Sequence, residues 1–206
     1  MIQILDLQIN NLASLAEGLT RSGFEDIKIS EELLANPQQD TLVIPGNGNF
    51  GRASNFLDRD NLRDKILDFY EKDGKIIGIC LGMQLFAEFS EEAESARGLG
   101  LIEGKVRKFP KSISRIPHIG WNEIYPVKER NTLNLNCGLD VYFCHSYYFD
   151  VFKSENIYAT TQYENFEFAS MVVKKSLIGM QYHPEKSSNV GKEVLIKIKE
   201  WLDVKV

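Results

Sequence analysis

Apolar positions fall into two rhythms along the first half of the chain. Residues 2–4 form a short extended apolar run, after which Leu12, Leu15, Ala16 and Leu19 stand at helical spacing ahead of Gly23. Residues 27–29 and 41–44 repeat the extended pattern. Leu62, Ile66, Phe69 and Tyr70 mark a second helical face, with Gly74 as its C-cap. A β-branched run over 75–79 follows, then a helix-like stretch over 83–91. Strands alternating with helices imply an α/β fold, with a mostly parallel central sheet flanked by helices and a site at the carboxyl ends of its strands.

The later chain changes character. Residues 112–178 are rich in short β-like runs, with extended patterns over 140–144, 157–161, 171–173 and 177–182. They predict a smaller antiparallel β addition in the C-terminal half. A final helix over 191–202 sets Val194, Ile198, Trp201 and Leu202 on one face. The 206 residues suit one domain, spanning 1–206, with a sizeable core.

Composition excludes more than it suggests. The net charge of −5 argues against a nucleic-acid or anionic-membrane partner. Apolar runs are too short to span a bilayer, and the start of the chain lacks a secretory pattern. Cys80, Cys137 and Cys144 have no metal-ligand spacing, so neither a metal nor another cofactor is expected. Free thiols suit a reducing cytoplasm.

The chemistry is concentrated in three segments. Gly78-Ile79-Cys80-Leu81-Gly82 follows a strand and precedes a helix, the arrangement of a nucleophile elbow with sulfur in place of a serine oxygen. The glycines leave room for a sharp turn, and the helix start favours thiolate. Far downstream, His183-Pro184-Glu185 offers a general base and a carboxylate to orient it. Proline favours extended backbone for itself and its predecessor, which would put both side chains on one side. Between a strand and the next element lies Pro45-Gly46-Asn47-Gly48, a loop able to turn amide groups toward a developing oxyanion, with the Leu81 amide as second donor.

In this order, Pro45-Gly46-Asn47-Gly48, Gly78-Ile79-Cys80-Leu81-Gly82-Met83-Gln84 and His183-Pro184-Glu185 resemble the class I (triad) glutamine amidotransferases. Three further segments narrow the resemblance: Gly98 to Gly104, Ile116-Pro117-His118-Ile119-Gly120-Trp121-Asn122, and Tyr142-Phe143-Cys144-His145-Ser146-Tyr147. Within the family they are similar to glutaminase subunits of imidazole glycerol phosphate synthases, of histidine biosynthesis. The resemblance implies Cys80, His183 and Glu185 as the catalytic triad. It implies Gly46, Asn47, Gly48, Leu81, Gln84, His145, Ser146 and Tyr147 around substrate glutamine. It further implies a heterodimer with a (β/α)₈-barrel cyclase that receives the ammonia, and puts Asn11, His118, Trp121, Asn122 and Lys186 in or near the docking face.

Two departures bear on the partner. The first loop of the family reads Asp-Tyr-Gly-x-Gly-Asn, whereas this chain has Asp6-Leu7-Gln8-Ile9-Asn10-Asn11, without either glycine. The oxyanion loop has Asn47 and Asn49 where the family has Val and Ala, and Asn tolerates left-handed backbone better than Val. An alternative therefore stands beside the first reading: a paralogous glutaminase subunit feeding a cyclase-like partner that amidates a surface-polysaccharide sugar. The triad is untouched by either departure.

Overall fold

A computed structural model describes residues 1–8 and 12–204. In chain order the elements are β1 (Ile2–Leu5), α1 (Leu12–Arg21), β2 (Ile27–Ser30), β3 (Thr41–Ile44), α2 (Phe50–Leu57), α3 (Leu62–Glu71), β4 (Lys75–Ile79), α4 (Leu81–Gln84), β5 (Phe89–Ser90) and β6 (Gly104–Lys108). There follow β7 (His118–Pro126), β8 (Leu139–His145), β9 (Tyr147–Val151), β10 (Ile157–Tyr163), β11 (Phe166–Lys174), β12 (Leu177–Met180) and α5 (Ser188–Val204).

One nine-stranded sheet runs in the order β2-β1-β3-β4-β12-β11-β10-β7-β8, and β5, β6 and β9 form a second, small sheet. The pairs from β2 to β12 are parallel, and those from β12 to β8 antiparallel. The expected antiparallel addition thus continues the central sheet, because β12 pairs with β4 on one edge and with β11 on the other.

Alternate residues of the central strands feed two cores. Ile4, Val43, Ile77 and Ile79 pack with Leu12, Leu15 and Leu19 of α1 and with Val194, Ile198 and Trp201 of α5. Leu5, Leu42, Ile44 and Ile76 pack with Phe50 and Phe56 of α2 and with Ile66 and Phe69 of α3. Burial of both sheet faces explains why these strands read as unbroken apolar runs. Among the described residues, no helix is long and apolar enough to cross a membrane.

Two local expectations need correction. The helix after Cys80 is one turn long, and Phe89–Ser90 is a strand, so the stretch over 83–91 is not one helix. Its apolar residues Met83, Leu85, Phe86 and Ala87 are all buried, and helical periodicity cannot separate a packed turn from a longer helix. The final helix starts earlier than expected, at Ser188. α2 was not anticipated, although Asn49 caps it by accepting from the Arg52 N–H at 3.1 Å.

Candidate functional site

The strand order brings the three chemical segments together. β4 lies between β3 and β12, all parallel, with Ile44 opposite Gly78 and Met180 opposite Ile79. The loop at 45–48, the turn at Cys80 and the segment from Gln181 to Lys186 therefore leave neighbouring strands at their carboxyl ends. In open α/β sheets, ligands bind in the crevice outside the carboxyl ends of the strands.

Cys80 has φ 50° and ψ −104°, a conformation that costs a non-glycine residue about 1–3 kcal/mol. Its N–H donates to the Met180 carbonyl at 2.6 Å, which ties the turn to β12. Two glycines allow the loop to press against this turn. A Cβ on Gly46 would lie 2.2 Å from the Leu81 nitrogen, and one on Gly82 would lie 1.9 Å from the Ile44 oxygen. Gly46 is thus buried packing beneath the loop, while Asn47 and Gly48 are exposed.

His183 Nδ1 and Glu185 Oε1 are 2.8 Å apart, with side chains 2% and 7% exposed. The geometry behind this pair differs from expectation. His183 is extended, as the residue before a proline should be, but Pro184–Lys186 is a 3₁₀ turn. The turn brings the carboxylate back to the ring. Burial works against the charged imidazole, yet the nearby Cys80 sulfur and the Glu185 carboxylate outweigh it and raise His183 to about 10. Nε2 is buried with no hydrogen-bond partner among the described residues. It is the ring atom left for proton exchange. A thiol beside such an imidazole can exist as thiolate with imidazolium.

Asn47, Gly48, Cys80, Leu81, Gln84, His145, Ser146 and Tyr147 line one cavity of about 270 Å³. A second cavity, of about 130 Å³, is lined by Gly46, Asn47, His183, Glu185 and Lys186. The residues expected around a substrate therefore converge, with Gly46 on the far side of the loop. Gln84 Nε2 donates to the Tyr147 carbonyl at 2.9 Å and to Gln181 Oε1 at 3.0 Å. Both of its hydrogens are used, so Oε1 is the group it can offer a ligand.

The expected docking residues divide. On β7, Ile119, Trp121 and Tyr125 are exposed, and Trp121 packs edge-on against Tyr142 of β8. Strand alternation turns His118 inward, where it is 2% exposed and 3.1 Å from His145, so its side chain offers no surface. Asn122 is half-buried and Lys186 exposed. Asn11, with Asn10 and Ile9, lies outside the described residues.

Three contributors were missed in the sequence. Glu92 lines the main cavity, holding the Phe50 N–H on Oε2 at 2.8 Å. Gln181 puts Nε2 3.5 Å from Cys80 Sγ. Ser187 donates to the His183 carbonyl at 2.6 Å and accepts from the Tyr142 N–H at 2.9 Å. For Gln181 and Ser187 the available signal was adjacency to His183-Pro184-Glu185. Glu92, in a run of surface acids, gave none.

The fold and the cleft define an α/β protein with a strained cysteine turn at the carboxyl end of a central strand. The chain belongs to the class-I glutamine amidotransferase family, whose model matches residues 4–200. It is 36% identical to the imidazole glycerol phosphate synthase subunit HisH of Chlorobaculum tepidum over 202 residues, covering 98% of this chain and all of that one. The HisH subunit of Thermotoga maritima is 38% identical over 204 residues, covering 97% and 96%. A solved glutamine amidotransferase structure, 16% identical, shares the fold with a TM-score of 0.74 over 99% of this chain and 98% of its own.

Proposed function

We propose that this chain is the glutaminase subunit of an imidazole glycerol phosphate synthase, acting in histidine biosynthesis. The observation that carries the reading is the strained Cys80 turn beside the buried His183–Glu185 pair, within a chain similar over its whole length to HisH subunits.

In the proposed reaction, Cys80 attacks the side-chain amide carbon of glutamine as thiolate. Amide groups of the Asn47–Gly48 region and of Leu81 stabilise the tetrahedral oxyanion. His183 Nε2 gives its proton to the departing ammonia, leaving a γ-glutamyl thioester. Water deprotonated by His183 then releases glutamate and restores the thiol. Glu185 holds the imidazole and offsets its charge. Gln84 Oε1 and the Glu92 carboxylate supply acceptors suited to the ammonium end of the substrate, with His145, Ser146 and Tyr147 also lining the cavity.

Ammonia forms beside His183 and passes through the cavity that reaches Lys186 toward a (β/α)₈-barrel cyclase. That partner docks against the side carrying exposed Trp121 and Lys186, with Asn122 turned to the other side of β7. It uses the ammonia to form imidazole glycerol phosphate and the aminoimidazole carboxamide ribonucleotide.

The test is glutamate release with the barrel cyclase of the same organism, with and without the imidazole-pathway ribonucleotide. Strong, ligand-dependent stimulation is expected. Silence there, with stimulation by a second cyclase-like protein, would transfer the chain to the sugar-amidating alternative.

A further inference from the structure

One main-chain carbonyl fixes the orientation of Gln84, Gln181 and His145 beside the Cys80 turn. Tyr147 O can only accept. It takes Gln84 Nε2 at 2.9 Å and His145 Nδ1 at 2.8 Å. Gln84 must therefore point its nitrogen inward, and its second hydrogen goes to Gln181 Oε1 at 3.0 Å. Gln181 has then committed its oxygen, and its nitrogen faces Cys80 Sγ at 3.5 Å. Beside His183, the sulfur also has the Cys144 carbonyl at 3.9 Å, which can accept from a thiol and offers nothing to a thiolate.

The histidine side of the network agrees with this direction. With its proton on Nδ1, His145 accepts at Nε2 from His118 Nδ1, 3.1 Å away. His118 Nε2 then accepts from Asn122 Nδ2 at 3.4 Å, and that amide also donates to the Gln162 carbonyl at 3.0 Å. Both rings lie among Phe109, Phe143 and Phe168. Desolvation holds them neutral, His118 at about 4 and His145 at about 3. Donors and acceptors alternate without conflict from Asn122 to the sulfur.

We propose that Gln181 is a catalytic residue that donates a hydrogen bond to the Cys80 thiolate, and that Gln84, His145 and His118 are positioning residues that lock its amide in that orientation. The catalytic use of the bond rests on the glutaminase reading above. The bond itself rests on the geometry. Gln181 is fully buried, so no water competes for its N–H. A donor to a charged acceptor is among the stronger hydrogen bonds, and it favours thiolate over thiol.

The experiment is alkylation of Cys80 by iodoacetamide in the intact chain without glutamine, followed by mass spectrometry of the Cys80 peptide. Gln181→Met keeps length and bulk and removes the donor. At pH 7 the variant should alkylate about tenfold more slowly than wild type, as expected for loss of a bond to a charged group. At pH 10, where ordinary thiols are ionised, the two rates should converge. A merely structural role would change both rates alike. Equal rates at pH 7, or the same change at both pH values, would overturn the proposal. Should Gln181→Met fail to fold, Gln84→Met leaves Gln181 in place without its orienting donor. About threefold slowing at pH 7 alone is then expected, and an unchanged rate would overturn it. Because no glutamine is present, a chain that never releases glutamate would refute the functional reading while leaving this result intact.

Discussion

Tyr142 and His183 are joined by two routes. The His183 N–H donates directly to the Tyr142 carbonyl at 2.8 Å, and the Tyr142 N–H reaches the His183 carbonyl through the hydroxyl of Ser187. Tyr142 lies on β8, the edge strand of the large sheet, with its ring against exposed Trp121. The proposed general base is thus braced by the strand next to β7, whose Trp121 is proposed to meet the partner. Its position depends on that strand as much as on its own turn.

Ser187→Ala removes the bridge and leaves the Tyr142 N–H unpaired, while the His183 carbonyl keeps the Lys186 N–H at 3.0 Å. The expected loss is about 1–3 kcal/mol of folding stability, read by denaturant titration. With His183 less constrained, kcat for glutamate release should fall while KM changes little.

Gly18 sits on α1 directly against the turn that carries Glu185. A Cβ there would lie 2.8 Å from the Glu185 Cβ and 3.1 Å from its Cα. Gly18→Ala gains helix propensity worth up to about 1 kcal/mol, yet should destabilise on balance, because overpacking costs about 1–3 kcal/mol. A thermal melt and a glutaminase assay should both fall. A more stable, fully active variant would show that the turn yields freely.

Acid should weaken the fold through His118 and His145. Both are held below the ordinary histidine value, to about 4 and about 3. Between those values and about 6.5, the unfolded chain binds protons that the folded chain does not, so stability falls as pH drops through that window. His118→Gln should flatten the acid limb of a plot of unfolding free energy against pH. An unchanged slope would contradict it.

Alkali acts on His183 with the opposite sign. Its raised affinity for a proton contributes stability that is complete below about 6.5 and is lost as pH rises toward about 10. Protonated His183 is also the proposed acid for departing ammonia. Glu185→Gln removes one of the groups that raise it, so the alkaline limb of kcat should move to lower pH. A limb that stays in place would separate Glu185 from proton control.

Much of this arrangement is written locally. Cys80 between Gly78 and Gly82, and His183 before Pro184, are short-range signals, because the elbow and the pre-proline backbone depend on immediate neighbours. The parallel strands are equally plain, since burial on both faces makes residues 42–44 and 76–79 continuously non-polar. What stayed hidden depends on pairing between distant segments. His118 and Gln181 are ordinary polar residues until β7 meets β8 and β12 meets β4. The extent of the helix after Cys80 was misjudged because Met83 to Ala87 are apolar for packing against the sheet rather than for helical amphipathicity. The extended reading of Pro184–Glu185 failed because proline fits the first turn of a 3₁₀ helix as well as it fits a strand.

The most direct test of covalent glutaminase chemistry at Cys80 is mass spectrometry of rapidly quenched chain turning over glutamine, with the barrel cyclase present. The predicted result is a γ-glutamyl group on the Cys80 peptide of the wild type, with neither adduct nor glutamate release from Cys80→Ala. Glutamate release by Cys80→Ala at the wild-type rate, or a γ-glutamyl group on another residue, would contradict it.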